Sequence, residues 1–139
     1  MTRYQILAAA LLITRLAAAA AAHGQQQELL DRVDELHREE RHGEIISLLG
    51  ARLEGAEDET RMGEIRWRLS RAYLNKTVLE LFTGLSEDTA REQLSNGGEE
   101  ARRSVQLCPE CAQAYFWQAA NTGKRGELRG IMNSLFLAD

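Results

Sequence analysis

Residues 104–119 read S-V-Q-L-C-P-E-C-A-Q-A-Y-F-W-Q-A and contain the pattern that decides the fold. A helical segment ends near Leu107, and Pro109 stops it because proline cannot continue a helix. The pattern predicts a new helix from about Cys111 to Thr122. Small residues such as Ala119 are expected where two helices touch, with large side chains in the gaps between them. The stretch therefore predicts two helices joined by a short turn.

Helical periodicity also dominates the chain before this stretch. An apolar stripe in the first part lies at helical spacing and consists of Leu29, Leu30, Val33 and Leu36. Further amphipathic helices are predicted over 45–53 and 62–73, and Asp58 and Ser86 are predicted N-caps. No segment alternates with period two, so a sheet is not expected. The sequence predicts an all-α fold.

Local signals lead to three expectations about the later helices. Asn96-Gly97-Gly98 is expected to kink or interrupt the helix that begins after Ser86. The segment Val78–Phe82 either prolongs the third helix or packs as a separate turn. A sixth helix is predicted from Glu127 to the end of the chain.

Composition excludes several classes of protein. Of the 139 residues, 44% are hydrophobic and 27% are charged, which is the balance of a folded soluble domain. The formal net charge is −4, so nucleic acid is not an expected partner.

The first 22 residues have the order of a secretory signal peptide. They contain no acidic residue, and the apolar run Ile6–Ile13 is followed by small residues up to Ala22. Cleavage is predicted near Ala22, before His23, so that 1–22 are removed and 23–139 form the mature domain. The protein is therefore expected in a periplasm or outside the cell.

The helices form pairs that resemble tetratricopeptide repeats. The resemblance is carried by 36–53, by the positions of Leu69, Ser70 and Tyr73, and by 104–109, which matches the close of such a repeat. It implies an antiparallel helix-pair solenoid of about three repeats, over 26–59, 63–111 and 112–139, of which the last is incomplete.

Residues 115–135, preceded by 108–112, resemble a more specific family. These are the tetratricopeptide-like T-components of tripartite ATP-independent periplasmic (TRAP) transporters. The resemblance implies an all-helical periplasmic protein that pairs with a solute-binding protein. The chain departs from this family because it lacks the lipid-anchor cysteine and the later helices.

In such repeats the first helix of each pair lines a concave surface, which implies a groove for an acidic or amphipathic segment of a partner. The candidate groove residues are Trp67, Arg71, Asn75, Phe116, Asn121 and Lys124, and the same register adds Asp34, His37, Arg38 and Arg68. Trp67 and Phe116 have an alternative role as core residues, since aromatic stripes usually pack inside.

Cys108 and Cys111 form a C-x-x-C motif. The alternatives are two inert thiols, a structural disulfide, and a redox or metal role. Thioredoxin-like activity requires a strand before the motif, and zinc requires four ligands where only two cysteines exist.

The two histidines of H-R-E-E-R-H suggest no metal site. His37 and His42 are five positions apart, about 140° around a common helix, so the sequence predicts that they do not share a face. Nucleotide-binding loops and hydrolase motifs are absent from the sequence. The sequence therefore predicts no catalytic residue, no cofactor and no metal.

The expected function is a non-enzymatic, secreted, protein-binding adaptor, whose partner is a TRAP-type solute-binding protein if the resemblance holds. The alternative is a carrier of a small apolar ligand between the repeats, and a redox enzyme built on the C-x-x-C motif is the third. The apolar residues from Leu128 to Leu137 are expected to be left open, which implies self-association through the last helix, a partner there, or a truncated copy of a longer repeat protein.

Overall fold

The computed structural model describes residues 3–53 and 58–136, with side chains at 15, 17–53 and 58–130. It contains five helices, which are α1 (Arg3–Arg38), α2 (His42–Leu53), α3 (Glu59–Phe82), α4 (Glu87–Leu107) and α5 (Ala112–Phe136). The described residues include no strand. The all-α prediction is confirmed.

The chain divides into two compact units, Met1–Glu35 and Leu36–Asp139. In the first unit, Leu30 and Val33 of the predicted apolar stripe are buried, and Leu29 is half-buried. On the exposed side of the same segment, Gln27 donates a hydrogen bond to Asp31 at 2.9 Å.

The second unit is built around α3, which packs against α2, α4 and α5, while α4 also packs against α5. The buried residues of α4 alternate at intervals of four and three, which is the spacing of one helix face. They are Ala90, Leu94, Gly97, Ala101 and Ser104. On α5, Ala114, Asn121 and Leu128 are buried at seven-residue intervals. These two faces enclose the core with α3.

Local signals fix both ends of α3 and the start of α4. The side chain of Asp58 accepts a hydrogen bond from the backbone N–H of Arg61, and that of Ser86 accepts one from Thr89. Both N-cap predictions are confirmed. After α3, Gly84 has φ 98° and the N–H of Leu85 donates to the carbonyl of Glu80, which is the geometry of a Schellman C-cap.

The turn after α1 has the same hydrogen-bond pattern without a glycine. The N–H of Arg41 donates to the carbonyl of Leu36, and that of Glu40 donates to the carbonyl of His37. Glu40 occupies the left-handed position with φ 59°. The helix α1 therefore ends at Arg38, and α2 begins at His42.

Two expected breaks do not occur. The helix α4 runs without interruption through Asn96-Gly97-Gly98, and α5 is one helix in place of the predicted fifth and sixth. Gly97 serves a close contact, since a Cβ there would lie 2.5 Å from Oδ1 of Asn121 and 3.0 Å from Cβ of Tyr73. The segment Val78–Phe82 prolongs α3, as one of its two alternatives predicts.

The expected contact at Ala119 is also wrong. Ala119 is exposed, because the buried side of α5 is set by Ala114 and Asn121. Ala119 lies five residues after Ala114, which is about 140° around the helix. The predicted open apolar face at the chain end falls mostly on side chains outside the described residues. Its first member, Leu128, is buried with Ala90 and Leu94.

Candidate functional site

Trp67 lies at the centre of a charged cluster on α3. Its indole is buried, and the guanidinium carbons of Arg68 and Arg71 lie 4.0 and 5.3 Å from the ring centroid. Guanidinium groups at this distance are attracted to the face of an indole ring. Of the candidate groove residues, the structure thus brings Trp67, Arg68 and Arg71 together.

Glu64 completes this cluster and was not predicted from the sequence. Its Oε2 accepts a hydrogen bond from Nε1 of Trp67 at 2.9 Å and forms an ion pair with Arg68. Its Oε1 lies 3.6 Å from Sγ of Cys111. Residues at spacings of three and four meet on one helix face, which is the signal that places Glu64 beside Trp67 and Arg68. No sequence signal indicates the contact with Cys111, which lies 47 positions away.

The cysteines are joined by a disulfide bond across the turn between α4 and α5. Cys108 caps the end of α4 and is buried, whereas Cys111 directly precedes α5 and is partly exposed. Cys108 packs tightly on α3, since a Cβ on Gly63 would lie 2.6 Å from Cβ of Cys108. The structure therefore contains the disulfide, which is one of the alternatives for this motif.

An aromatic pair lies on the surface of the first turns of α5. Tyr115 and Phe116 are 47% and 60% exposed. Phe116 packs edge-on against the half-buried ring of Trp117, with centroids 4.9 Å apart. We call Tyr115 and Phe116 the aromatic edge of α5. Of the candidate groove residues, Phe116 is thus a surface residue rather than a core residue.

The remaining candidate groove residues belong neither to the cluster around Trp67 nor to the aromatic edge of α5. Asn121 is fully buried, and its Nδ2 donates to Oγ of Ser70 at 2.9 Å and to the carbonyl of Trp117 at 2.9 Å. These contacts fit helix packing better than partner binding. Lys124 forms an ion pair with Glu127 at 2.8 Å, and Asn75 is half-buried on α3.

The prediction that His37 and His42 do not share a face assumed a common helix, whereas the structure places them on two helices. The rings of His37 and His42 are 5.3 Å apart, because α1 ends at Arg38 and the following turn brings the start of α2 back towards it. Burial lowers the pKa of His42, and the positive charge of Arg71 lowers it further, while Glu40 opposes both. Within the described residues, no group of three or more His, Cys, Asp or Glu side chains is suited to a metal ion.

A pocket of about 330 Å³ lies between the start of α2 and the last turns of α3. It is lined by Glu40, Arg41, His42, Gly43, Glu44, Lys76, Leu79 and Glu80. Arg41 pairs with Glu44 at 2.6 Å, and Lys76 pairs with Glu80 at 2.7 Å, so these charges neutralise one another. The lining is about equally polar and apolar, and Leu79 is the one apolar side chain among the lining residues.

Charged side chains also link α3 to α4 and cover the surface of α4. Arg66 pairs with Glu100 at 2.5 Å, with both side chains largely buried. Burial raises the pKa of Tyr73, and the charge of Glu100 adds to this. On the surface of α4, Glu99 accepts hydrogen bonds from Arg102 and Arg103. These bonds lower the pKa of Glu99 to about 2, and the bond from Arg102 contributes most. The Arg66–Glu100 pair thus joins α3 to α4, whereas the pairs of Glu99 lie within α4.

Comparison with protein families, with curated proteins and with solved structures found no match for the chain. None of the helices in the described part of the chain is long and apolar enough to span a bilayer.

Proposed function

We propose that this protein is a non-enzymatic interaction protein that binds a partner through the aromatic edge of α5. The observation that carries the proposal is the exposure of Tyr115 and Phe116 on a helix whose opposite side is held in the core. Exposed aromatic side chains on a rigid helix contribute large contact area at low entropic cost and are enriched at interface hot spots.

The order of helix contacts supports a repeat architecture of the tetratricopeptide kind. Each helix from α2 to α4 packs against its successor, and α5 returns to pack on α3 as well. The chain passes from α3 to α4 and from α4 to α5 in four residues each, which favours antiparallel neighbours. We propose that α3 and α4 form one repeat, and that α5 is the first helix of an incomplete one.

The resemblance to TRAP transporter T-components supplies the proposed partner and location. On this proposal the partner is a periplasmic solute-binding protein, and the chain is exported by a signal peptide that is cleaved near Ala22. Intact mass of the protein recovered from the periplasm tests the export, because the product should lack the first 22 residues or close to it. A full-length chain in the cytosol would contradict it.

Site-specific photo-cross-linking tests the binding surface. A benzophenone analogue of phenylalanine is placed at Phe116 in one variant and at Phe82 in a matched control. Phe82 is also an exposed phenylalanine, 86% exposed, but it ends α3. We expect one dominant protein adduct from position 116, none from position 82, and loss of the adduct when Tyr115→Ala is added.

Equal adducts from the two positions, or none from position 116, would overturn the proposed surface. Mass spectrometry of the adduct identifies the partner. A solute-binding protein would support the transporter role, and any other protein would exclude that role while leaving the interaction function in place.

A further inference from the structure

The disulfide between α4 and α5 has two sulfurs in different surroundings. Cys108 is 6% exposed and lies against Gly63, where even an added methyl group would clash. The hydroxyl of Ser104 donates to the carbonyl of Gly63 at 2.7 Å and holds the same contact from α4. Cys111 is partly exposed at the start of α5. Of the two cysteines, Cys111 is therefore the more accessible to an incoming reagent.

The sulfur of Cys111 also contacts the cluster around Trp67. Sγ of Cys111 lies 3.6 Å from Oε1 of Glu64, and the other oxygen of this carboxylate accepts the indole N–H of Trp67. A disulfide sulfur carries no proton, so the contact with Glu64 is not a hydrogen bond in the oxidised protein. A thiol at Cys111 is a donor, and a carboxylate is a strong acceptor. Reduction thus adds a donor to Oε1 of the carboxylate whose Oε2 holds Trp67 and Arg68.

We propose that Cys108–Cys111 is a thiol–disulfide exchange site at which the incoming thiol attacks Cys111, and that Glu64 transmits the state of the bond to Trp67. In the first step a small-molecule thiolate bonds to Sγ of Cys111, the protein S–S bond breaks, and Cys108 leaves as a thiolate that takes up a proton. A second thiolate attacks the small-molecule sulfur of the mixed disulfide and releases Cys111. Two small-molecule thiols are oxidised to their disulfide, and the protein disulfide is reduced to two thiols.

The site of attack is tested on the wild-type protein with glutathione. Mixed disulfides are trapped during reduction by alkylation, and peptide mapping then shows which cysteine carries glutathione. We expect Cys111 to carry at least about ten times more than Cys108, since exchange requires access to the sulfur. Equal labelling, or an excess on Cys108, would overturn the assignment of the attacked sulfur.

The transmission to Trp67 is tested by its fluorescence. The chain has two tryptophans, so Trp117→Phe leaves Trp67 as the sole emitter. In this background we expect dithiothreitol to change the Trp67 emission reversibly, and expect no change when Cys108→Ser and Cys111→Ser are both present. Complete reduction, shown by a mass gain of two hydrogens, with unchanged emission would overturn the proposal.

Two further variants separate transmission through Glu64 from direct quenching by the disulfide. In Glu64→Gln we expect reduction to proceed while the emission response is lost, because the charge that links Cys111 to Trp67 is gone. Glu110→Gln, in the same turn but exposed, is the matched control and should keep the full response. A response that persists in Glu64→Gln would show direct quenching and overturn the role of Glu64. The test does not depend on the proposed partner.

Discussion

The two halves of α4 pack in different ways. The amino-terminal half packs apolar side chains together, whereas the small residues of the carboxyl-terminal half let neighbouring helices approach closely. In the first half, Ala90 and Leu94 join Leu128 in an apolar cluster, against which Leu74, Leu81 and Leu85 pack. In the second half, the buried residues are Gly97, Ala101 and Ser104. There the neighbouring helices meet at backbone and polar atoms. We therefore expect the first half to be destabilised by substitutions that remove side-chain volume, and the second half by substitutions that add it.

The largest effect is expected from removing volume in the apolar half. Leu94 is fully buried, so Leu94→Ala leaves a cavity, and we expect a loss of about 2–5 kcal/mol in the free energy of unfolding. Urea denaturation followed by circular dichroism measures it. Leu79→Ala is the control, because Leu79 is 40% exposed. Similar losses in both variants would show that the cluster is not tightly packed.

Adding volume in the second half tests the opposite response. Gly97→Ala places a methyl group 2.5 Å from Oδ1 of Asn121, whose amide is held by Ser70 and cannot easily move. We expect a loss of about 1–3 kcal/mol from overpacking. The matched control is Gly123→Ala on α5, where no atom lies within 4 Å of the new methyl.

Alanine favours a helix over glycine, so Gly123→Ala should stabilise the protein by roughly 0.5–1 kcal/mol. Opposite signs for the two variants would support close packing at Gly97. Stabilisation by both would contradict it and would imply that α5 lies further from α4 than described.

This contrast also explains what the sequence could predict. The apolar half is only partly visible in the sequence, because Leu94 is its one leucine and the leucines that pack against it lie in other parts of the chain. The caps at Asp58 and Ser86 are visible because their partners lie three residues away. The packing of the second half cannot be predicted from the sequence. A glycine within a helical segment signals a break, and the contact that explains Gly97 comes from Asn121 on the next helix.

The same limit applies to the candidate site. Trp67 and Phe116 are candidates because of their register in the repeats that the chain resembles, whereas Glu64 looks like one more charge on a solvated helix face. The pairing of His37 with His42 depends on the end of α1, which is set by Glu40 in the left-handed region. The polar run from His37 to His42 indicates that the helix ends in this region, but glutamate rarely adopts the left-handed conformation, so the sequence does not indicate that the turn is made at Glu40.

A smaller effect is expected from a single hydrogen bond in the second half. The hydroxyl of Ser104 donates to the carbonyl of Gly63 inside the core, and Ser104→Ala should cost about 0.5–1.5 kcal/mol. The control is Ser47→Ala, because Ser47 makes a similar bond to the carbonyl of Gly43 on an exposed face. Water replaces the exposed bond, so the control should be close to neutral. An equal cost in both variants would show that burial adds nothing to the Ser104 bond.

The smallest effect is expected from His42, a buried side chain that titrates, unlike the uncharged polar contacts described above. Asn121 and Ser104 carry no charge near neutral pH, so the second half of α4 should not respond to mild acid. His42 is buried beside His37, with Arg71 on α3 and Glu40 in the preceding turn as its charged neighbours. Burial lowers its pKa from 6.5, and because Glu40 offsets part of this, we expect only a modest dependence on pH.

The sign of that dependence follows from proton binding. As the pH falls through 6.5, the unfolded chain takes up a proton at position 42 before the folded protein does, so the free energy of unfolding decreases with falling pH. His42→Gln removes this group, and the stability of the wild type relative to the variant should decrease between pH 7 and pH 5. If the wild type and His42→Gln keep a constant difference across this range, then His42 does not titrate on unfolding, and any acid sensitivity arises from the paired carboxylates instead.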